Sequence, residues 1–144
     1  MLNGMNLSAL ETSFDLVAPK GDELMEIFYS NLFAVAPSVQ PLFAGTDMAR
    51  QRAMLLSALV LLRRSLRGID AAVPTLKRLG ARHVAYGVRA EHYPVVGNVL
   101  IGAMAQVAGP AWEPRHGEAW REAFGVVAEV MLAGAAEAEL ALAA

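Results

Sequence analysis

Residues 75–97 read TLKRLGARHVAYGVRAEHYPVVG, and this stretch decides the fold. Leu76, Leu79, Gly80, His83 and Gly87 recur at helical spacing, which turns His83 inward with the small and apolar residues and leaves Lys77, Arg78 and Arg82 outside. An inward imidazole needs a partner. One reading is a core histidine satisfied by a backbone carbonyl, and the other is an axial ligand to haem iron held on a helix beside a flat apolar slot. Spacing alone leaves both open.

Upstream, a connector at Gly68-Ile69-Asp70 precedes the helix that carries His83 and ends at Gly87. Asp47 or Thr46 can cap a long third helix reaching about Gly68, with Gln51, Met54, Leu55, Ala58 and Leu62 on one face. Pro37 can begin a helix but not continue one, so 37–43 reads as a short separate helix after a second helix over 21–36. On that second helix Met25, Phe28, Tyr29, Leu32 and Ala36 form one face, so Tyr29 looks into the core. Ser8, with Glu11 three residues on, makes a capping-box start for a first helix ending near Pro19.

Downstream, a fifth helix begins near Ala90 or His92 and runs to Ala108, where Gly109-Pro110 stops it; Tyr93, Val96, Leu100 and Met104 form its inner face. The last starts around Pro114 and buries Trp120, Phe124, Val127 and Met131. His92 and His116 stand at helix starts and read as surface groups. No alternating strand pattern or internal repeat occurs, so the class is all-α, one domain over residues 1–144.

Composition agrees. With 56% apolar and 18% charged residues and a mean hydropathy of +0.39, the 144-residue chain has the material for one packed core. A net charge of −2 and a pI near 5.9 argue against a nucleic-acid or anionic-membrane footprint. The lack of cysteine removes disulfides, thiolate metal sites and thiol catalysis. The apolar run Ala53 to Leu62 is about half of what a bilayer-spanning helix needs, and residues 1–14 show no signal-peptide pattern, so the cytoplasm is the default compartment.

Read together, FYSNLF (28–33), PLF (41–43), Gln51, ARHVAYGV…HYPVVG and AWREAFGVVAEV (119–130) fall in the order and at the spacing of one family. Over about residues 5–135 the chain resembles the single-domain bacterial globins and the globin portion of flavohaemoglobins. The resemblance implies a globin fold of about six to eight helices around a haem pocket holding haem b. It makes His83 the iron ligand, and it makes Tyr29 and Gln51, the latter 32 residues before His83, the distal pair that donates to bound oxygen and on which any catalysis rests. Phe43 then stacks on the haem, and Leu55 walls the gas-binding position. Met54 reads as core in preference to a second, thioether ligand. Arg82 meets a haem propionate or remains a solvated cation, and Tyr93 supports the proximal side. No histidine occurs in 47–68, which weighs against bis-histidine coordination.

One departure stands out. Ala135 occupies the place of the glutamate that in this family hydrogen-bonds the ligand histidine, and Glu139 shares its face only one turn on, about 6 Å away by helix rise. Without a carboxylate partner the imidazole pushes fewer electrons toward iron, which puts peroxidase-like or rapid dioxygenase chemistry in doubt. The expected function is binding of O2, CO and NO, with conversion of NO and O2 to nitrate as a further activity. The sequence stops where flavohaemoglobins continue into FAD and nicotinamide domains, so sustained turnover calls for an external reductase. The alternative is a gas-sensing or signalling globin acting through a partner protein. Neither nucleic acid nor membrane is an expected partner, and the chain is expected as a monomer or homodimer.

Overall fold

Among the described residues, prolines and capping residues mark off six α-helices. The computed structural model describes residues 6–143. The helices are α1 (Leu7–Val17), α2 (Gly21–Val35), α3 (Met48–Ser65), α4 (Val73–Ala85), α5 (His92–Ala108) and α6 (Pro114–Ala143), and short 3-10 turns occupy Ala18–Lys20, Pro37–Phe43, Leu66–Ala72 and Gly109–Ala111. α2 stops at Val35 because Pro37 forces Ala36 out of the helical region, to φ −132°, ψ 72°. Asp47 caps α3, its carboxylate accepting from the Ala49 and Arg50 amides at 3.1 and 3.3 Å. Gly68 (φ −143°, ψ 41°) breaks the chain between α3 and α4, and Gly87 (φ +86°) turns it after α4, a conformation that favours glycine.

The first helix differs from the capping-box expectation. Asn6 is the cap, its side-chain oxygen accepting from Ala9 N at 2.9 Å, so Ser8 lies inside the helix. Glu11 instead reaches across to α3 and the turn after it, pairing with Arg63 at 3.3 Å and with Arg67 at 2.6 Å.

The core is built by α1, α2, α5 and α6, with Phe14, Phe28, Leu24, Met25, Met104 and Trp120 nearly inaccessible. Trp120 has no exposed surface, and its indole N–H donates to Ser13 Oγ at 2.8 Å, which itself donates to the Ala9 carbonyl. Burying a tryptophan requires such a partner for its one polar atom. α5 with its following turn, His92–Ala111, is among the described residues the one stretch long and apolar enough by composition to cross a bilayer. It packs against α1, α2 and α6, and Val99, Leu100, Ala103, Met104 and Val107 face the interior.

The other two helices are attached differently. α4 packs almost wholly on α6, through a crossing so close that a Cβ on Gly80 would overlap the Met131 carbonyl and one on Gly134 would overlap that of Lys77. Only Gly80 of α4 and Leu59 of α3 are fully buried, and the two helices make almost no backbone contact with each other. A cleft therefore runs between α3 and α4.

His116 corrects the expectation of a surface group. It is 2% exposed, packs edge-on against Trp112, and accepts the Glu113 backbone N–H on Nδ1 at 3.0 Å. His92 makes the equivalent contact at the start of α5, half-buried and accepting from Arg89 N at 2.9 Å.

Candidate functional site

His83 stands on the last full turn of α4, half-buried on the side of the cleft. Its Nδ1–H donates to the Leu79 carbonyl at 2.7 Å, one turn back on the same helix. That bond fixes the tautomer and the ring direction, leaving Nε2 as a lone-pair donor. The ring is flanked edge-on by Tyr86 at 5.7 Å between centroids, and by burial class Leu76 and Leu79 are half-exposed beside it. Apolar residues left half-covered around an oriented imidazole are what a planar, largely apolar metal macrocycle would cover.

α2 and α3 bring Tyr29 and Gln51 together. The Gln51 amide donates to the Tyr29 hydroxyl oxygen at 3.0 Å, which leaves the tyrosine O–H free to donate elsewhere. Tyr29 is 5% exposed, and burial pushes its pKa above the usual tyrosine value, with the Gln51 hydrogen bond and the Arg52 charge opposing that shift. The hydroxyl therefore keeps its proton at neutral pH. Phe28, Phe33 and Phe43 surround it, Phe43 standing at 5.8 Å and 77° to the Tyr29 ring and at 5.4 Å and 64° to Phe33. These edge-on contacts hold the half-buried Phe43 in place, and its neighbour Leu42 lies against Gly87, just past the end of α4.

The other expected site residues fall out as follows. Leu55 is half-buried against the core cluster, one turn after Gln51, as a pocket wall requires. Met54 is 57% exposed, so the expectation of a core methionine is wrong: the inward side of α3 is taken by Leu55, Leu59 and Leu62. Arg82 is exposed beside His83 and pairs with no carboxylate among the described residues. Tyr93 is half-buried on the first turn of α5, and burial raises its pKa; the aromatic ring packed on His83 is instead Tyr86, which spacing alone did not single out. Ala135 is buried, Glu137 is held at 2.8 Å by Lys77, and His83 Nδ1 bonds the Leu79 carbonyl, so neither Glu137 nor Glu139 is the partner of His83 among the described residues. A separate open pocket of about 450 Å³, lined by Phe33, Pro37, Gln40, Pro41, Phe43 and Met48, lies on the outer side of the 37–43 turn and does not contain His83.

An all-helical domain that carries an oriented histidine on α4 and a hydrogen-bonded Tyr–Gln pair on α2 and α3 has the residue set of a haem protein. Comparison with known proteins agrees: the Globin family model matches residues 26–131. The chain is 32% identical to the flavohemoprotein of Bacillus cereus over 139 residues, which is 95% of this chain and 34% of that protein, and 27% identical to the one of Bacillus subtilis. The chain spans about a third of the length of these curated relatives. Among solved structures it superposes, at TM-score 0.88 and 26% identity with both chains fully covered, on an engineered carbene transferase made from a provisionally assigned nitric oxide dioxygenase of Rhodothermus marinus. A bacterial globin from Campylobacter jejuni shares the fold at TM-score 0.78 and 22% identity, covering 91% of this chain and 94% of that one. This chain belongs to the globin family, whose cofactor is haem.

Proposed function

We propose that the protein is a haem b protein that would hold its cofactor between α3 and α4 through His83 Nε2, and that it binds O2, CO and NO under the control of Tyr29. Two hydrogen bonds support this reading: Leu79 O orients His83 on α4, and Gln51 orients Tyr29 between α3 and α2. Haem supplies reversible binding of diatomic gases. The chain supplies the environment: the Tyr29 O–H donates to a ligand that gains negative charge, Phe43 and Leu55 exclude water, and Arg82 offers a cation to a propionate. Gln51 acts as a positioning residue, since its amide is spent on the tyrosine oxygen.

Nitric oxide conversion to nitrate is the activity we assign beyond gas binding. It is supported by the likeness to flavohemoproteins and to the Rhodothermus globin. Each NO joined to one O2 as nitrate consumes one electron, so an external reductase completes the reaction, and the cytoplasm, where reduced nicotinamides are made, is the compartment this implies. The proximal bond to a neutral carbonyl, in place of a carboxylate, favours retention of oxygen over its activation.

The test is the visible spectrum of haem-loaded protein in ferric, ferrous and CO forms, beside His83→Ala. Loss of tight haem binding, or a changed ferrous CO spectrum, is expected in the variant, because no histidine lies on α3 and His92 and His116 are committed to backbone amides. An unchanged Soret band and haem affinity in His83→Ala would overturn the assignment.

A further inference from the structure

Charge is divided unevenly along this chain. Residues 48–90, which form α3, the turn after it and α4, hold nine of the twelve lysines and arginines but only one of the fourteen acids, Asp70. Their formal balance is +8, while the rest, with three cations against thirteen acids, carries −10. A net charge of −2 conceals this.

Three of the nine are neutralised on the flanks that pack: Arg63 and Arg67 by Glu11 and Asp15 of α1, and Lys77 by Glu137 of α6. The other six, Arg50, Arg52, Arg64, Arg78, Arg82 and Arg89, have no carboxylate within 4.0 Å among the described residues. A haem b carries two propionates, so at least four cations remain after it binds. On α3, Arg50, Met54, Leu61 and Arg64 share one flank by helical spacing, with Met54 and Leu61 57% and 56% exposed. On α4, Arg78 and Arg82 lie one turn apart and Tyr86 follows at the same interval, on the flank away from Lys77 and Gly80. Exposed apolar side chains set among unpaired cations, on the outward flanks of the two helices proposed to hold the cofactor, have the composition of a docking surface.

We propose that this surface docks an acidic one-electron donor protein carrying a reduced flavin. The inference rests on the haem reading above. One electron leaves the donor's reduced flavin and converts ferric iron to ferrous, with no bond made or broken at the protein. Charge complementarity selects the partner: an anionic surface is drawn to the +8 segment and repelled by the acidic remainder, so it approaches cofactor edge first.

The experiment is stopped-flow reduction of the haem-loaded full chain by reduced bacterial flavodoxin, an acidic flavin protein. The bimolecular rate should fall about ten-fold or more between low salt and 0.5 M NaCl. Arg64→Glu combined with Arg78→Glu should cut the low-salt rate by roughly the same factor. Lys20→Glu combined with Arg121→Glu, an equal change in net charge placed outside the segment, should change it less than about two-fold. Two small reductants give a local reading: the Arg64/Arg78 pair should slow anionic ferrous EDTA and quicken cationic hexaammineruthenium(II). Equal losses in both double variants, or a rate indifferent to salt, overturns the proposal. So does binding to phosphatidylglycerol vesicles that the Arg64/Arg78 pair abolishes while the flavodoxin rate is untouched, which would make the face a lipid-binding one. Haem uptake through His83 is read from the absorption spectrum before any donor is added. Calorimetric binding of oxidised flavodoxin reads the docking surface without haem chemistry, so the two readings fail separately.

Discussion

At 3.0 Å the Gln51 amide donates to Tyr29, and that one bond alters what each residue can do for a ligand. From sequence the two are parallel donors. In the structure they are in series: a hydroxyl that accepts one hydrogen bond becomes a better donor of another, and its own proton is directed away from the glutamine. Tyr29→Phe therefore removes the O–H proposed to donate to the gas while keeping the ring among Phe28, Phe33 and Phe43. A hydrogen bond to a partly charged oxygen is worth about 1.5–3 kcal/mol, so oxygen dissociation should quicken roughly ten-fold to a hundred-fold, while carbon monoxide, with little charge at its outer atom, should respond far less. Gln51→Leu should show a weaker effect in the same direction, and the double variant should behave like Tyr29→Phe alone. Stopped-flow displacement of both gases decides it. Additive effects would mean that Gln51 reaches the ligand directly, and equal changes for both gases would make Tyr29 a steric gate.

At the scale of helices, what sequence disclosed and what it hid divide along a physical line. Proline and glycine positions, the Asp47 cap and the period of each apolar stripe are local, and they place α2, the 37–43 turn, the start of α3 and α5 within a residue or two of where they lie, while α3 ends at Ser65, short of the expected Gly68. The errors involve partners far along the chain. Glu11 was legible as half of a capping box, but it is claimed by arginines 52 and 56 residues away. His116 was legible as a helix-start residue, but its burial depends on where Trp112 and α5 pack. The Glu11 contacts carry a pH signature. Hydrogen bonding from Arg67 holds its carboxyl below the ordinary value near 4.5, so its contribution is present above that value and is lost as pH falls through the lower, folded one. Glu11→Gln should lower stability modestly at pH 7 and not at all at strongly acid pH, and a stability gap between the two proteins that stays the same size as pH falls would exclude this. The Gly80–Gly134 crossing makes the second prediction at this scale. Alanine in a helix interior ordinarily gains about 0.5–1 kcal/mol over glycine, but here the methyl meets backbone that cannot rotate away, a cost of about 1–3 kcal/mol. The cost should win. Gly80→Ala and Gly134→Ala should each lower the melting temperature by several degrees, and a raised one would show that α4 shifts freely on α6.

Over the whole molecule, the helices that build the core are not those that build the cleft. α1, α2, α5 and α6 bury one another, with Trp120, Phe28 and Met104 at the centre, and need no cofactor to do so. α4 contributes Gly80 to the buried set and leans on α6, and α3 contributes Leu59, leaving Leu42, Met54, Val84 and Tyr86 in solvent. A ligand that binds only the folded cleft stabilises it by mass action, and the gain is greatest where few apolar contacts hold a segment in its absence. Removing haem should therefore loosen the chain unevenly. Hydrogen exchange followed by mass spectrometry should show residues 66–90 losing most of their protection in the haem-free protein, with the second half of α3 partly affected. The amides of α2, α5 and the first half of α6 should slow exchange almost as well as before. Haem added back should restore protection to 66–90 in the native chain but not in His83→Ala, because the imidazole is what ties α4 to the cofactor. Uniform loss of protection across all six helices would show that the cofactor supports the whole fold, and no change in 66–90 would show that the α6 contact alone holds the wall carrying His83.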